Sequence, residues 1–148
     1  MPFGPSIRFF VEGDPGTKGS VNAFVVGKGR NRHAVVVNNS MKAKPWAKAV
    51  SAAAEKAYRG DPLDVPVFLF IIFYLKRPKS HYRSNGALKP NAPVYVPTKP
   101  DGDKLERCAW DALTGIIFKD DSLVVSWYGQ KRYSDGKTGA SFLITWRR

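Results

Sequence analysis

Four aspartates, Asp101, Asp103, Asp120 and Asp121, stand in a stretch that reads KPDGDKLERCAWDALTGIIFKDDSLV from Lys99 to Val124. That stretch holds six of the chain's twelve acidic residues, although the whole carries 24 Lys and Arg and a formal net charge of +12. Grouped carboxylates repel one another unless a cation or a proton joins them. Hard oxygen donors without a nearby His or Cys suit Mg2+, with Mn2+ as a substitute, rather than zinc. Such a cation under a polyanion activates water and stabilises charge on a phosphodiester as it breaks, and phosphate and water complete its shell. The aspartates also have a simpler use, because an Asp at a helix N-terminus caps free backbone N–H groups for about 0.5–2 kcal/mol and meets the positive end of the dipole. One aspartate meets that need; two around Gly102, with a KDD run some eighteen residues later, exceed it.

Neighbouring side chains extend the pattern. Asp103, Arg107 and Asp111 recur at a spacing of four and share one helix face. Arg107 has a bland use as an i,i+4 partner of Asp103, worth about 0.2–0.5 kcal/mol. Permanently charged, it is poorly suited to give up a proton and well suited to clamp phosphate oxygens or hold transition-state charge. Lys104 is a phosphate contact or an ordinary exposed Lys, and Asp111 is read as a structural hydrogen-bonding group. If Asp120 and Asp121 are extended, their side chains face opposite ways and only one joins the cluster, a constraint that a turn relaxes. His33 and His81 lie in basic loops far from these acids and are read as surface or phosphate-contacting groups, not ligands.

The elements that must hold these residues are legible from periodicity. SIRFFV, Ser6 to Val11, reads as a strand, and NAFVVG and HAVVVNN read as a hairpin around GKGRNR. Trp46, Ala49, Val50, Ala53 and Ala57 recur at helical spacing between Pro45 and Tyr58, with Gly60 beyond the stop. Val65 to Leu75, VPVFLFIIFYL, is a buried strand, about half the length of a membrane-spanning helix. A second helix is predicted from about Asp103 to Thr114, with Leu105, Ala109, Ala112 and Leu113 on its apolar face and Gly115 as its stop. SLVVSWYGQKRY and SFLITW, joined by SDGKTG, read as a closing hairpin. Phe9, Phe10, Trp127 and Trp146 alternate with polar residues and are read as core. The order β, β, β, α, β, α, β, β predicts an α+β fold over residues 1–148 as a single domain. A mixed or antiparallel sheet would carry two main helices packed mostly on one face.

Between the buried strand and the second helix lies a basic, Pro-rich loop at about 76–100, with six Lys or Arg, no acid and five prolines. It cannot be a long helix or a central strand. Its positive charge, with Tyr82 and Tyr95, makes it a substrate-facing arm, against the bland alternative of a solvated loop. A pI near 10 points to a polyanionic partner, nucleic acid foremost. Lys18, Arg30, Arg32, Lys76, Arg77 and Arg83 are assigned to DNA backbone contacts. The N-terminus lacks the pattern of a secretory signal, and no eighteen apolar residues run together. Lone Cys108, a small core residue, fits a reducing, cytoplasmic setting and no membrane association.

The run PDGDKLERCAWDALTG followed by KDDSLV resembles the signature of RusA-family Holliday-junction resolvases, P-D-x-D-N-L-x-K-x-x-x-D-A-L-N/T-G with a downstream D-D-x-x-V. The resemblance implies a homodimeric, Mg2+-dependent endodeoxyribonuclease that nicks two opposed strands of a four-way junction. It places the family's essential, metal-holding aspartates on Asp101, Asp103 and Asp121, with Asp120 and Lys104 as possible accessories. Arg107 stands where the family has its catalytic lysine, and Lys104 where it has asparagine. The family often occurs in phages and prophages, which implies action in a host cytoplasm. Three rivals stay open: a non-catalytic, structure-selective DNA-binding protein; a metal nuclease for flaps, other branched DNA or single strands; and a phosphotransferase on small substrates, disfavoured because no G-x-x-x-x-G-K-[ST] loop is present.

Overall fold

A computed structural model describes residues 4–18, 21–38 and 42–147, with the backbone alone over 21–26 and 33–38. Strand β1 (Ser6–Glu12) comes first, followed by β2 (Val21–Val26) and β3 (His33–Asn38), then helix α1 (Ala43–Ala57) and strand β4 (Val67–Leu75). Helix α2 (Gly102–Leu113), β5 (Val124–Tyr133) and β6 (Gly139–Trp146) complete the order. β2 and β3 form an antiparallel two-stranded ribbon of their own, as the hairpin reading requires. The other four strands make a mixed sheet in the order β1-β6-β4-β5, an α+β arrangement.

β4 is apolar at every position, and burial alternates strictly along it. Val67, Leu69, Ile71 and Phe73 point into one core with Phe142 and Ile144 of β6, Trp46, Val50 and Ala54 of α1, and Leu105, Ala109 and Leu113 of α2. Both helices therefore contribute to the same core, and Ser51 Oγ of α1 donates to the Ala112 carbonyl of α2 at 2.8 Å. Leu105, Cys108, Ala109 and Leu113 recur at i, i+3, i+4 and i+8, which is why this segment is a helix with one buried stripe. Each large aliphatic side chain taken into such a core contributes about 1.5–3 kcal/mol. Thr114 N–H bonds back to the Trp110 and Asp111 carbonyls, and Gly115, at φ 88°, turns the chain away in a conformation that side chains disfavour.

Three expectations are corrected. β5 and β6 are not a hairpin: β4 lies between them, parallel to β5 and antiparallel to β6. A strand that is apolar on both faces needs a neighbour on each edge, and the 134–138 connection has only to cross two strand spacings, about 10 Å. The parallel β4–β5 pair is made possible by the crossover through α2, the kind of long connection that such pairing demands. Nor are Phe10 and Trp127 core, being 45% and 56% exposed, whereas Trp146 is buried and Phe9 stacks on Phe142. The face of the sheet turned away from the helices carries Phe10, half-buried Phe70, Ile72 and Tyr74, and exposed Tyr128.

The third correction is Arg77, assigned above to DNA. Its side chain is only 4% exposed. The guanidinium donates to the Pro93 carbonyl at 2.6 Å and to Asp135 at 3.1 Å, lies 3.2 Å from His81 Nδ1, and sits over the Tyr133 ring. Arg77 thus clamps the basic loop to the sheet and has no free face for phosphate. His81 packs edge-on against the same Tyr133, while the reading of the His33 side chain lies outside the described residues. The loop is further tied by Val96 N–H to Lys131 and Tyr133 N–H to Val94, so its tail runs alongside the end of β5. Lys76, Arg83, Tyr82 and Tyr95 remain exposed on it. No helix among the described residues is long and apolar enough to cross a membrane.

Candidate active site

α2 is built so that its buried stripe fixes a second, polar face in space. Asp103, Glu106, Arg107 and Trp110 follow at i, i+3, i+4 and i+7, and all four line a cleft of about 290 Å³. Asp111, at the next turn, borders it too. The opposite wall is β5, whose Trp127 lies opposite Leu69 in the parallel register and therefore on the helix side of the sheet. Trp110 and Trp127 meet with ring centroids 5.4 Å apart. Asp121 closes the cleft from the segment between α2 and β5.

The segment carrying Asp121 is a 3-10 turn, Asp121–Leu123, rather than an extended run. Asp120 caps it by accepting from Ser122 N–H at 2.9 Å, which leaves Asp121 to face the cleft. Asp120 therefore serves as the cap of this turn. The Ser122 backbone N–H, and then the bond shared with Asp121, hold the Asp120 carboxyl below the usual carboxylate range. Asp121 is pushed the other way, first by that same bond with Asp120, then by desolvation and the charges of Asp120 and Asp111.

Asp101 stands at the N-cap position of α2, but its side chain makes no capping bond. It pairs instead with Lys99 at 2.7 Å and Lys104 at 3.5 Å, and the Lys99 hydrogen bond leads in holding its pKa below the ordinary value. Lys131 Nζ fastens the approach to the helix by donating to the Thr98 and Pro100 carbonyls at 2.8 and 2.9 Å. The predicted set is thus divided: Asp103 and Asp121 share the cleft with Arg107, while Asp101 and Lys104 stand beside it in a separate ion pair.

Arg107 forms no salt bridge with Asp103 among the described residues, so the bland i,i+4 pairing is not made. Lys18, assigned above to DNA, is engaged with Asp111, and that hydrogen bond raises the pKa of Lys18. Asp111 therefore has the structural partner foreseen for it. Arg30, Arg32, Lys76 and Arg83 are exposed. Cys108 is buried, its thiol pushed up by desolvation.

Sequence reasoning missed Glu106, Trp110 and Trp127. The first two were findable, since they fall one turn and two turns after Asp103 on the face already marked by Arg107. Trp127 was not, because its side of the sheet follows from a parallel pairing that strand periodicity does not reveal.

The donor chemistry of the cleft fits a hard divalent cation. Asp103 and Asp121 offer carboxylates that no lysine or arginine neutralises among the described residues, and Glu106 Oε1 is buried without a hydrogen-bond partner there. Among the described residues no three His, Cys, Asp or Glu side chains are gathered closely enough to enclose an ion. An open set is what Mg2+ commonly uses, with one or two carboxylates and the rest of the shell from water and substrate phosphate.

Comparison with known proteins gives the chain's family. The chain is 31% identical over 137 residues to the uncharacterized protein YqaN of Bacillus subtilis (strain 168), across 87% of this chain and 89% of that protein. The family model described as Endodeoxyribonuclease RusA matches residues 19–141, a span that includes the cleft and both of its walls. The chain belongs to the RusA endodeoxyribonuclease family.

Proposed function

We propose that the protein is a Mg2+-dependent endonuclease that resolves four-way DNA junctions by paired symmetric nicks. The observation that carries this reading is the cleft itself: in a chain of net charge +12, Asp103 and Asp121 face it without a neutralising partner among the described residues, with Arg107 at its wall. A bound divalent cation would supply Lewis-acid stabilisation of the negative charge on the phosphoryl oxygens and the leaving oxygen, and would make a water more acidic.

The chain's own residues supply the rest. Asp103 and Asp121 hold the cation, from a helix face and from a capped turn. Asp101 would be available to join them if Lys99, its closer and more exposed partner, moved to an incoming phosphodiester. Arg107 clamps a phosphate oxygen and holds its developing charge, a role for which five fixed donors serve better than a point charge. Arg30, Arg32, Lys76 and Arg83 contact the DNA backbone. Lys18 contributes only by leaving Asp111, and Arg77 is withdrawn from the surface.

The protein acts as a homodimer, since two opposed strands must be cut and a junction has approximate two-fold symmetry. The sheet face bearing Phe10, Phe70, Ile72, Tyr74 and Tyr128 supports this reading as the surface for a second copy. Arg8 and Glu12 flank Phe10 on the same face of β1, so a two-fold axis near Phe10 sets unlike charges opposite one another. Light scattering should give twice the chain mass for the native protein and the chain mass for Phe10→Asp.

Cleavage of an end-labelled, mobile four-way junction, in Mg2+ or in EDTA, tests the activity. Symmetric nicks on opposed strands, dependent on metal and lost in Asp121→Asn, are the expected result. Tight, salt-sensitive binding without nicks in either Mg2+ or Mn2+ would leave a DNA-binding protein instead. Faster cutting of a flap or a single strand than of a junction would place the chain among other nucleases.

A further inference from the structure

Glu106 occupies a variable position of the family motif, between Leu105 and Arg107, yet the fold treats it unlike an ordinary surface carboxylate. Its Oε1 is fully buried with no hydrogen-bond partner among the described residues. A buried polar atom left without a partner is costly, more so when the group is charged. Burial alone raises its pKa, with no cation counted against it. Lys131, the cation on the neighbouring stretch of β5, is turned instead to the Thr98 and Pro100 carbonyls.

The strand makes room for this carboxylate. At Gly129 a methyl group would come within 3.2 Å of both Glu106 oxygens, so a side chain there would press on the group. Glu106 lines the cleft with Asp103 and Asp121, and also a second hollow on its other side with Gly102 and Lys131. The fold therefore brings a carboxylate to the junction of two hollows, desolvates one of its oxygens, and provides no donor for it among the described residues.

We propose that Glu106 turns out of its niche against Gly129 to supply a further carboxylate oxygen to the divalent cation held by Asp103 and Asp121, because the three carboxylates are not gathered around one point as they stand; the inference rests on the metal-dependent reading above. A purely structural role is a poor account of the same facts. Gln has the same shape, carries no charge to desolvate and brings a donor, so a scaffold needing only bulk would be served better by it.

Terbium binding tests the assignment without DNA or turnover. Tb3+ is a hard, oxygen-seeking ion whose emission is sensitised by nearby tryptophan, and Trp110 and Trp127 line the cleft. The native protein should show Tb3+ emission excited through tryptophan and displaced by Mn2+. Glu106→Gln should bind Tb3+ about tenfold or more weakly, the scale seen when a group supporting a metal is lost, with Glu106→Asp in between. The metal-free melting temperature of Glu106→Gln should equal or exceed the native one, while its rise on adding Mn2+ shrinks, the opposite of what loss of a scaffold contact gives.

Native-like Tb3+ affinity in Glu106→Gln, alongside weak binding in Asp121→Asn, would overturn the assignment and leave the metal reading standing. Absence of Tb3+ and Mn2+ binding by the native protein would overturn both together. Should Glu106→Gln fail to fold, Gly129→Ala decides, since it crowds the carboxylate while keeping its charge. Weakened Tb3+ binding there supports the assignment, and unchanged binding overturns it.

Discussion

At Asp101 two lysine ammonium groups lie 2.7 and 3.5 Å from the carboxylate, whereas further along α2 Glu106, which lines the same cleft as Asp103 and Asp121, keeps a buried oxygen with no donor among the described residues. The two places belong to one helix in one basic chain. With 24 Lys and Arg available, a shortage of cations does not explain the bare cleft. The difference lies in where the cations are directed: Lys99 and Lys104 to Asp101, Lys131 to two carbonyls, Lys18 to Asp111. Asp101 and Asp111 are thus matched by the chain's own lysines, whereas Asp103 and Asp121 face the cleft beside Arg107 without an ion pair among the described residues, which is where the proposed reading puts a cation from solution.

The sharpest way to break that comparison is to remove charge from the cleft. Asp121→Asn should lower junction cleavage on the order of 10²–10³-fold, the magnitude for losing a group that manages transition-state charge. Junction affinity in EDTA should be unchanged or tighter, because a carboxylate facing phosphates has been neutralised. Equal loss of binding and cleavage would instead make Asp121 a folding residue. Arg107 comes next, with Arg107→Ala expected to lower cleavage about tenfold to a hundredfold. Arg107→Lys, the family's own residue at this position, should recover most of it, and gel-based single-turnover rates separate the two.

Much of this arrangement was legible in the residues. The stripe of Leu105, Cys108, Ala109 and Leu113 marks α2, and that alone puts Asp103 and Arg107 on a shared outer face. β4 announces itself by having no polar residue at all. Partners were harder than elements. Alternation shows that 124–133 and 139–146 are strands but not that β4 enters between them, and the side occupied by Trp127 follows from that topology. Arg77 and Arg83 sit in the same basic, Pro-rich run, yet one is clamped over the Tyr133 ring and the other is exposed, a distinction that only the folded loop makes. Asp120 and Asp121 are adjacent and chemically identical; the backbone turn alone gives one to capping and the other to the cleft.

A smaller effect sharpens the comparison at Asp101. Lys104→Asn, which restores the family's residue, removes one of the two cations on Asp101 and one positive charge beside the cleft. Mn2+ affinity, measured by calorimetry, should rise by about three- to fivefold, the scale of one screened unit charge at short range near water. A fall in affinity would show that Lys104 holds Asp101 in place for the cation rather than competing with it.

The smallest effect is on stability, and its sign differs between the two places. Asp101 has a folded pKa held below the ordinary carboxylate value by its lysines, so its contribution is present above about pH 4 and is lost as the pH falls through the lowered folded value. Glu106 has a folded pKa raised by burial, so the folded state takes up a proton before the unfolded state does. Its charged form weighs against folding at neutral pH, and that penalty is relieved as the pH falls through the raised value toward about 4. In EDTA, melting temperatures of Glu106→Gln should therefore be less dependent on pH than those of the native protein between pH 7 and about 4.5, and Asp101→Asn should follow the native slope there. Below about pH 4 the roles exchange, with Asp101→Asn losing less stability than the native chain. With Mn2+ bound, the Glu106 slope should reverse, because the cation favours the charged carboxylate and protons must then compete with it. A slope that is the same in EDTA and in Mn2+ would mean that the half-buried carboxylate of Glu106 never meets the ion.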